Sequence, residues 1–78
     1  MDLNTAVGHT LRRIRTDNFW SLRDVSKKCH VSISHLSDIE TNKTPVSLPM
    51  LEQVSTKGLG IEISMLMKEI YGTLKENQ

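Results

Sequence analysis

Ser21-Leu-Arg-Asp-Val-Ser-Lys-Lys-Cys-His-Val-Ser-Ile-Ser-His-Leu-Ser-Asp-Ile-Glu40 contains two helix starts in close succession, and their spacing decides the fold. Ser21 is an N-cap, and Asp24 three residues on can return its hydrogen bond as a capping-box variant. Trp20 before the cap and Val25 inside the helix suit a hydrophobic staple. Ser32 repeats the device, with Val31 and Leu36 as the staple. Helices over 21–29 and 32–41 then leave only His30 and Val31 for the connection, which is a helix-turn-helix.

Outward from this motif the chain reads as all-α. Leu3, Val7, Leu11 and Ile14 recur at helical spacing and predict a first helix over 3–17, closed by Asn18. Thr44-Pro45 breaks the chain after the motif. Ser47 caps a fourth helix over 47–58, with Pro49 tolerated in its first turn. Ile63, Leu66, Met67 and Ile70 share one face of a fifth helix over 62–71. Residues 3–71 form the expected core of a single domain, and the polar tail 72–78 is expected to fray.

Two charges sit where an apolar stripe should run. Arg15 follows Leu11 by four residues and Glu40 follows Leu36 by four, so each lies on or beside the inward face of its helix. An unpaired charge there costs several kcal/mol. The simplest resolution is a guanidinium–carboxylate pair between the first and third helices; the alternative is that both side chains reach water independently.

Composition narrows the function classes. Net charge is +1, but residues 1–44 hold seven Lys/Arg against five Asp/Glu and residues 45–78 three against four. One end of the molecule can therefore meet phosphate without the chain being strongly basic. The apolar runs are too short for a transmembrane helix, and the order of residues at the N-terminus is not that of a signal peptide. The single Cys29 fits a reducing cytoplasm. His9, Cys29, His30 and His35 match no metal-ligand spacing, and no nucleophile–base pair or phosphate-cradling loop is evident. No metal, cofactor or small-molecule ligand is expected, and no enzyme activity.

The run Leu11-Arg-Arg-Ile-Arg15, followed by 21–40, resembles the Cro/repressor (XRE-like) helix-turn-helix family over about residues 7–70. Its most specific part is Val31-Ser32-x-x-x-Leu36-Ser37-x-Ile39-Glu40. The resemblance implies a five-helix lambda-repressor-like domain in which Arg15 and Glu40 form a structural ion pair. It implies a bacterial or phage regulator of transcription, similar to small phage repressors and restriction–modification controller proteins, acting as a homodimer on double-stranded DNA. The positions matching the base-reading residues are Ile33, Ser34, His35 and Asp38. Ile33 suits a thymine methyl, Ser34 several base edges, and Asp38 a cytosine amino group or the orientation of a neighbouring Arg or Lys. Phosphate contacts are expected from Arg23, Lys27, Ser37, Asn42, Lys43 and Thr44, joined by N–H groups at helix starts. Met65, Tyr71 and Leu74 are the candidate dimer contacts.

Several positions depart from the family pattern. Leu22 stands where Gln commonly binds a phosphate, His30 and Phe19 stand where Gly is usual, and helix four is one residue longer before Gly60. Leu22, Asp38 and the near-neutral charge keep a second function in view, a protein-binding module of antitoxin or adaptor type with weak, non-specific DNA binding.

Overall fold

The computed structural model describes residues 1–76. Each of the first four helices starts at a side chain that supplies a missing acceptor. The Asp2 carboxylate accepts from Thr5 N–H at 2.8 Å ahead of α1 (Leu3–Asp17). Ser21 accepts from Asp24 N–H at 3.0 Å ahead of α2 (Leu22–Cys29), and Ser32 from His35 N–H at 3.1 Å ahead of α3 (Ile33–Glu40). Ser47 accepts from Met50 N–H at 3.3 Å ahead of α4 (Leu48–Gln53). At α2 the device is reciprocal: Ser21 N–H donates to the Asp24 carboxylate at 2.8 Å. Helix starts need such partners because their first N–H groups have none within the helix.

The first three of these helices also end alike. Phe19, His30 and Asn42 adopt left-handed conformations, with φ of 58°, 60° and 61°, after α1, α2 and α3. Phe19 N–H donates to Thr16 O at 3.0 Å and Trp20 N–H to Arg15 O at 3.1 Å, a Schellman closure. Asn42 and Lys43 repeat it on Ile39 O and Asp38 O at 3.2 and 2.8 Å, and His30 closes α2 on Ser26 O at 2.9 Å.

Helix four departs from the expected 47–58. It is α-helical only to Gln53 and continues as a π-helical segment, Val54–Leu59, that ends at Gly60 with φ 72°. A π turn absorbs one extra residue within a helix, which is what the longer spacing before Gly60 requires. Gly58 lets the segment lie against α2, since a Cβ there would be 3.0 Å from Val25 Cγ1 and 3.3 Å from Cys29 Cβ. The buried Ser55 hydroxyl donates to Ile61 O at 2.7 Å, fixing the approach to the last helix.

That last helix, α5, spans Ile63–Glu76 rather than 62–71. It runs through Gly72 into the tail expected to fray. Leu74 packs against the core and the Thr73 hydroxyl lies 2.8 Å from that of the fully buried Thr10. These contacts outweigh the roughly 1 kcal/mol that an interior glycine costs a helix. The fraying expected from residue 72 is thus corrected for 72–76, and the rest of that tail lies outside the described residues.

No strand occurs among the described residues. The core joins Ala6, Val7 and Leu11 of α1 to Val25 and Cys29 of α2, Leu36 and Ile39 of α3, and Leu66 and Ile70 of α5. Leu3 is 45% exposed, so the buried stripe of α1 begins at Ala6 and not at Leu3.

Candidate functional site

Everything that α3 presents depends on how its far end is held. Arg15 Nε donates to Glu40 Oε2 at 2.8 Å and Nη2 to Oε1 at 2.9 Å, a side-by-side pair. Its Nη1 donates to Trp20 O at 2.9 Å. One guanidinium thereby ties α1, the entry to α2 and the end of α3. The two side chains are 14% and 9% exposed, so the pair is largely dry. Hydrogen bonding to Glu40 holds the Arg15 proton more tightly than usual.

Two neighbours complete the joint. Asn42 donates from its side-chain amide to Thr5 Oγ1 at 2.8 Å, clasping the turn after α3 to the start of α1. Gly8 brings the two backbones together, because a Cβ on it would lie 2.6 Å from Ile39 O and 2.8 Å from Glu40 O. The sequence reading missed both Gly8 and Thr5. A glycine in a helix interior was the available signal.

From this base the first turns of α3 project outward. Ile33 is 40% exposed and Ser34 is exposed, while His35, Ser37 and Asp38 are partly buried at the rim. Among the described residues no Lys or Arg reaches the Asp38 carboxylate. Of the two roles weighed for Asp38, orientation of a neighbouring cation therefore has no partner here. The carboxylate is left available to a ligand.

The peripheral residues divide. Arg23, Lys27 and Lys43 are exposed and make no ion pair among the described residues. Asn42 has one amide hydrogen committed to Thr5, and Thr44 is partly buried with its N–H on Asp38 O at 3.4 Å. Lys28 sits 4.5 Å above the Trp20 ring, a cation–π contact. Arg13 bonds Glu69 of α5 at 2.7 Å and so braces α1. N–H groups at helix starts are expected to help bind phosphate, and at α2 the capping box takes two of them and leaves those of Leu22 and Arg23. Ser21 N–H and Asp24 N–H are both occupied, and Ser21's backbone and side-chain hydrogen bonds hold the Asp24 carboxyl below the usual range, so it is ionised.

The three candidate dimer contacts do not form one patch. Met65 and Tyr71 are 58% and 51% exposed, but at about 100° per residue they lie about 120° apart around α5. Leu74 turns inward on the core, beside Met67 on the side of Tyr71. Among the described residues no group of three or more potential metal ligands forms, and no helix is long and apolar enough to cross a membrane.

Two adjoining capped helices, a tight left-handed turn and a dry ion pair behind the second helix define a helix-turn-helix protein. The chain belongs to the helix-turn-helix domain family, whose model matches residues 6–56. Its resemblance to XRE-like regulators holds in three dimensions. The restriction-modification controller protein C.Esp1396I superposes with a TM-score of 0.88 at 20% identity over 97% of each chain, a likeness of fold. The clp gene regulator ClgR from Corynebacterium glutamicum gives a TM-score of 0.84 at 30% identity over 95% of each chain. The C.Esp1396I tetramer in complex with its natural 35 base-pair operator gives 0.78 at 27% identity, over 91% of this chain and 97% of that one. No curated protein matches the sequence.

Proposed function

We propose that this protein is a sequence-specific transcription regulator that binds double-stranded DNA as a homodimer on a two-fold-symmetric operator, with α3 in the major groove. The observation that carries this reading is the outward first turn of α3, with Ile33 and Ser34 exposed and Asp38 unpaired, on a helix anchored at its other end by Arg15 and Glu40. A recognition helix reads bases mainly from its N-terminal turns, and this helix is free there and fixed elsewhere. Ile33 meets thymine methyls, Ser34 and His35 meet base edges, and Asp38 accepts from cytosine amino groups. Arg23, Lys27 and Lys43 take phosphates, with Ser37, Asn42 and Thr44 at the margin. The C.Esp1396I operator complex, in which that protein is a tetramer, supports both duplex DNA and self-association. Arg23, Lys27 and Lys43 are few phosphate contacts and give weak binding alone, and a second copy doubles them. The protein acts in the cytoplasm as a binding protein and not as an enzyme, without cofactor or metal.

Selection from random duplex DNA at near-physiological salt, followed by mass measurement of the complex, tests this. An inverted repeat bound by two or more copies is expected. Binding indifferent to sequence and lost quickly with salt would instead identify a protein-binding module that keeps the fold without the readout.

A further inference from the structure

Phe19 joins two properties that a bulky apolar residue rarely combines. Its φ is 58°, and it is 95% exposed. The backbone bonds that close α1 at this point, from Phe19 N–H to Thr16 O and from Trp20 N–H to Arg15 O, would form equally well with glycine. A side chain in this conformation strains the backbone, and phenylalanine lacks the polar group that makes Asn or Asp tolerable there. The ring recovers nothing within the molecule, because almost none of it is covered. His30 and Asn42 close α2 and α3 in the same conformation, but with polar residues.

We propose that Phe19 is a DNA contact, its ring packing on the sugar–phosphate strand that flanks the groove read by α3. The proposal rests on the DNA-binding function given above. In a helix-turn-helix the first helix crosses the backbone while the second enters the groove. Phe19 lies two residues before Ser21, the cap of that first helix. The exposed, unpaired Arg23 and Lys27 follow on the same helix and supply the charge that draws a phosphate strand to this corner. The capping box takes up Ser21 N–H and Asp24 N–H, while the Leu22 and Arg23 N–H groups of the first turn stay open to the same strand. An apolar ring against deoxyribose C–H groups, beside Arg23 on a phosphate, is a contact this corner can make. Trp20, the only tryptophan, is adjacent and partly buried, and it reports the arrival of a strand at Phe19.

The test uses the full chain and the duplex recovered by selection. Phe19→Gly and Phe19→Asn are compared with the wild type for melting temperature, duplex affinity, Trp20 emission and monomer–dimer dissociation. Both variants relieve strain, so both should melt about 2–6 °C higher. Losing the partial burial of a phenyl ring should weaken duplex binding about tenfold per copy. The change in Trp20 emission on adding duplex should shrink, and self-association should stay as in the wild type. Unchanged affinity in the variants overturns the Phe19 contact alone. Weaker duplex binding that follows a matching loss of self-association also overturns it, assigning the ring to a second copy. Failure of the wild type to select any duplex defeats the DNA-binding function and this contact with it.

Discussion

Gly8→Ala sets helix propensity against tertiary packing, and the two give opposite signs. In an isolated helix the change should stabilise by about 1 kcal/mol. Here the new Cβ would stand 2.6 Å from Ile39 O and 2.8 Å from Glu40 O, both backbone atoms that cannot rotate away. Reaching ordinary contact requires α1 and the end of α3 to separate by about 0.8 Å. Overpacking of this kind costs about 1–3 kcal/mol. The separation also lengthens the Arg15–Glu40 bonds of 2.8 and 2.9 Å and the Asn42–Thr5 bond of 2.8 Å, which span the same joint. The net expectation is a loss of about 2 kcal/mol, or about 8–16 °C in Tm for a domain of this size. Gly72→Ala is the internal control. It lies within α5 with nothing inside 4 Å of its Cβ position. It should gain about 1 kcal/mol. Urea unfolding followed by circular dichroism and by Trp20 fluorescence measures both. If Gly8→Ala proved as stable as Gly72→Ala, the close approach of α1 to α3 would be refuted.

Other substitutions probe the remaining supports. Glu40→Gln leaves the Arg15 guanidinium largely buried without its counter-charge and should destabilise by about 2–4 kcal/mol, whereas Arg15→Met with Glu40→Leu should recover at least half of that in urea unfolding. His30→Gly removes left-handed strain at the α2–α3 turn and should raise the urea midpoint, with a gain of about 0.5–1 kcal/mol. The Asp24 carboxyl is held below its ordinary value of 3.8 chiefly by the Ser21 N–H, so the folded state favours the ionised form. Its contribution is complete above 3.8 and is lost as pH falls through the lower folded value. Asp24→Asn should accordingly flatten the acid limb of a Tm-against-pH curve, and an unchanged limb would discount the capping box.

The motif was legible because its signals are local. Ser21 with Asp24, and Ser32 with Leu36, fix two helix starts whatever else the chain does. Arg15 and Glu40 were legible for another reason: a charge on an apolar stripe needs an answer, and each was the other's. What escaped the sequence depended on contacts between distant segments. Gly8 and Gly72 are both interior helix glycines, yet one exists for close backbone approach and the other is merely tolerated, and only the facing residues distinguish them. Leu3 and Leu74 exchanged the roles expected of them, because the apolar period does not say where the partner helix ends. Extra length in helix four was visible, but its conversion into a π-helical segment against Val25 and Cys29 was not. At the candidate site, residue types suggested Asp38, while its freedom from any cationic neighbour required coordinates.

In the proposed readout Ile33, Ser34, His35 and Asp38 meet base edges. Binding to every single-base-pair variant of the selected operator, measured for the wild type and for Ser34→Ala, His35→Ala and Asp38→Ala, decides whether they do. Each substitution should erase preference at its own one or two base pairs, symmetrically in both half-sites, and leave the others intact. Preference profiles identical to the wild type, or weakened evenly at all positions, would contradict that readout.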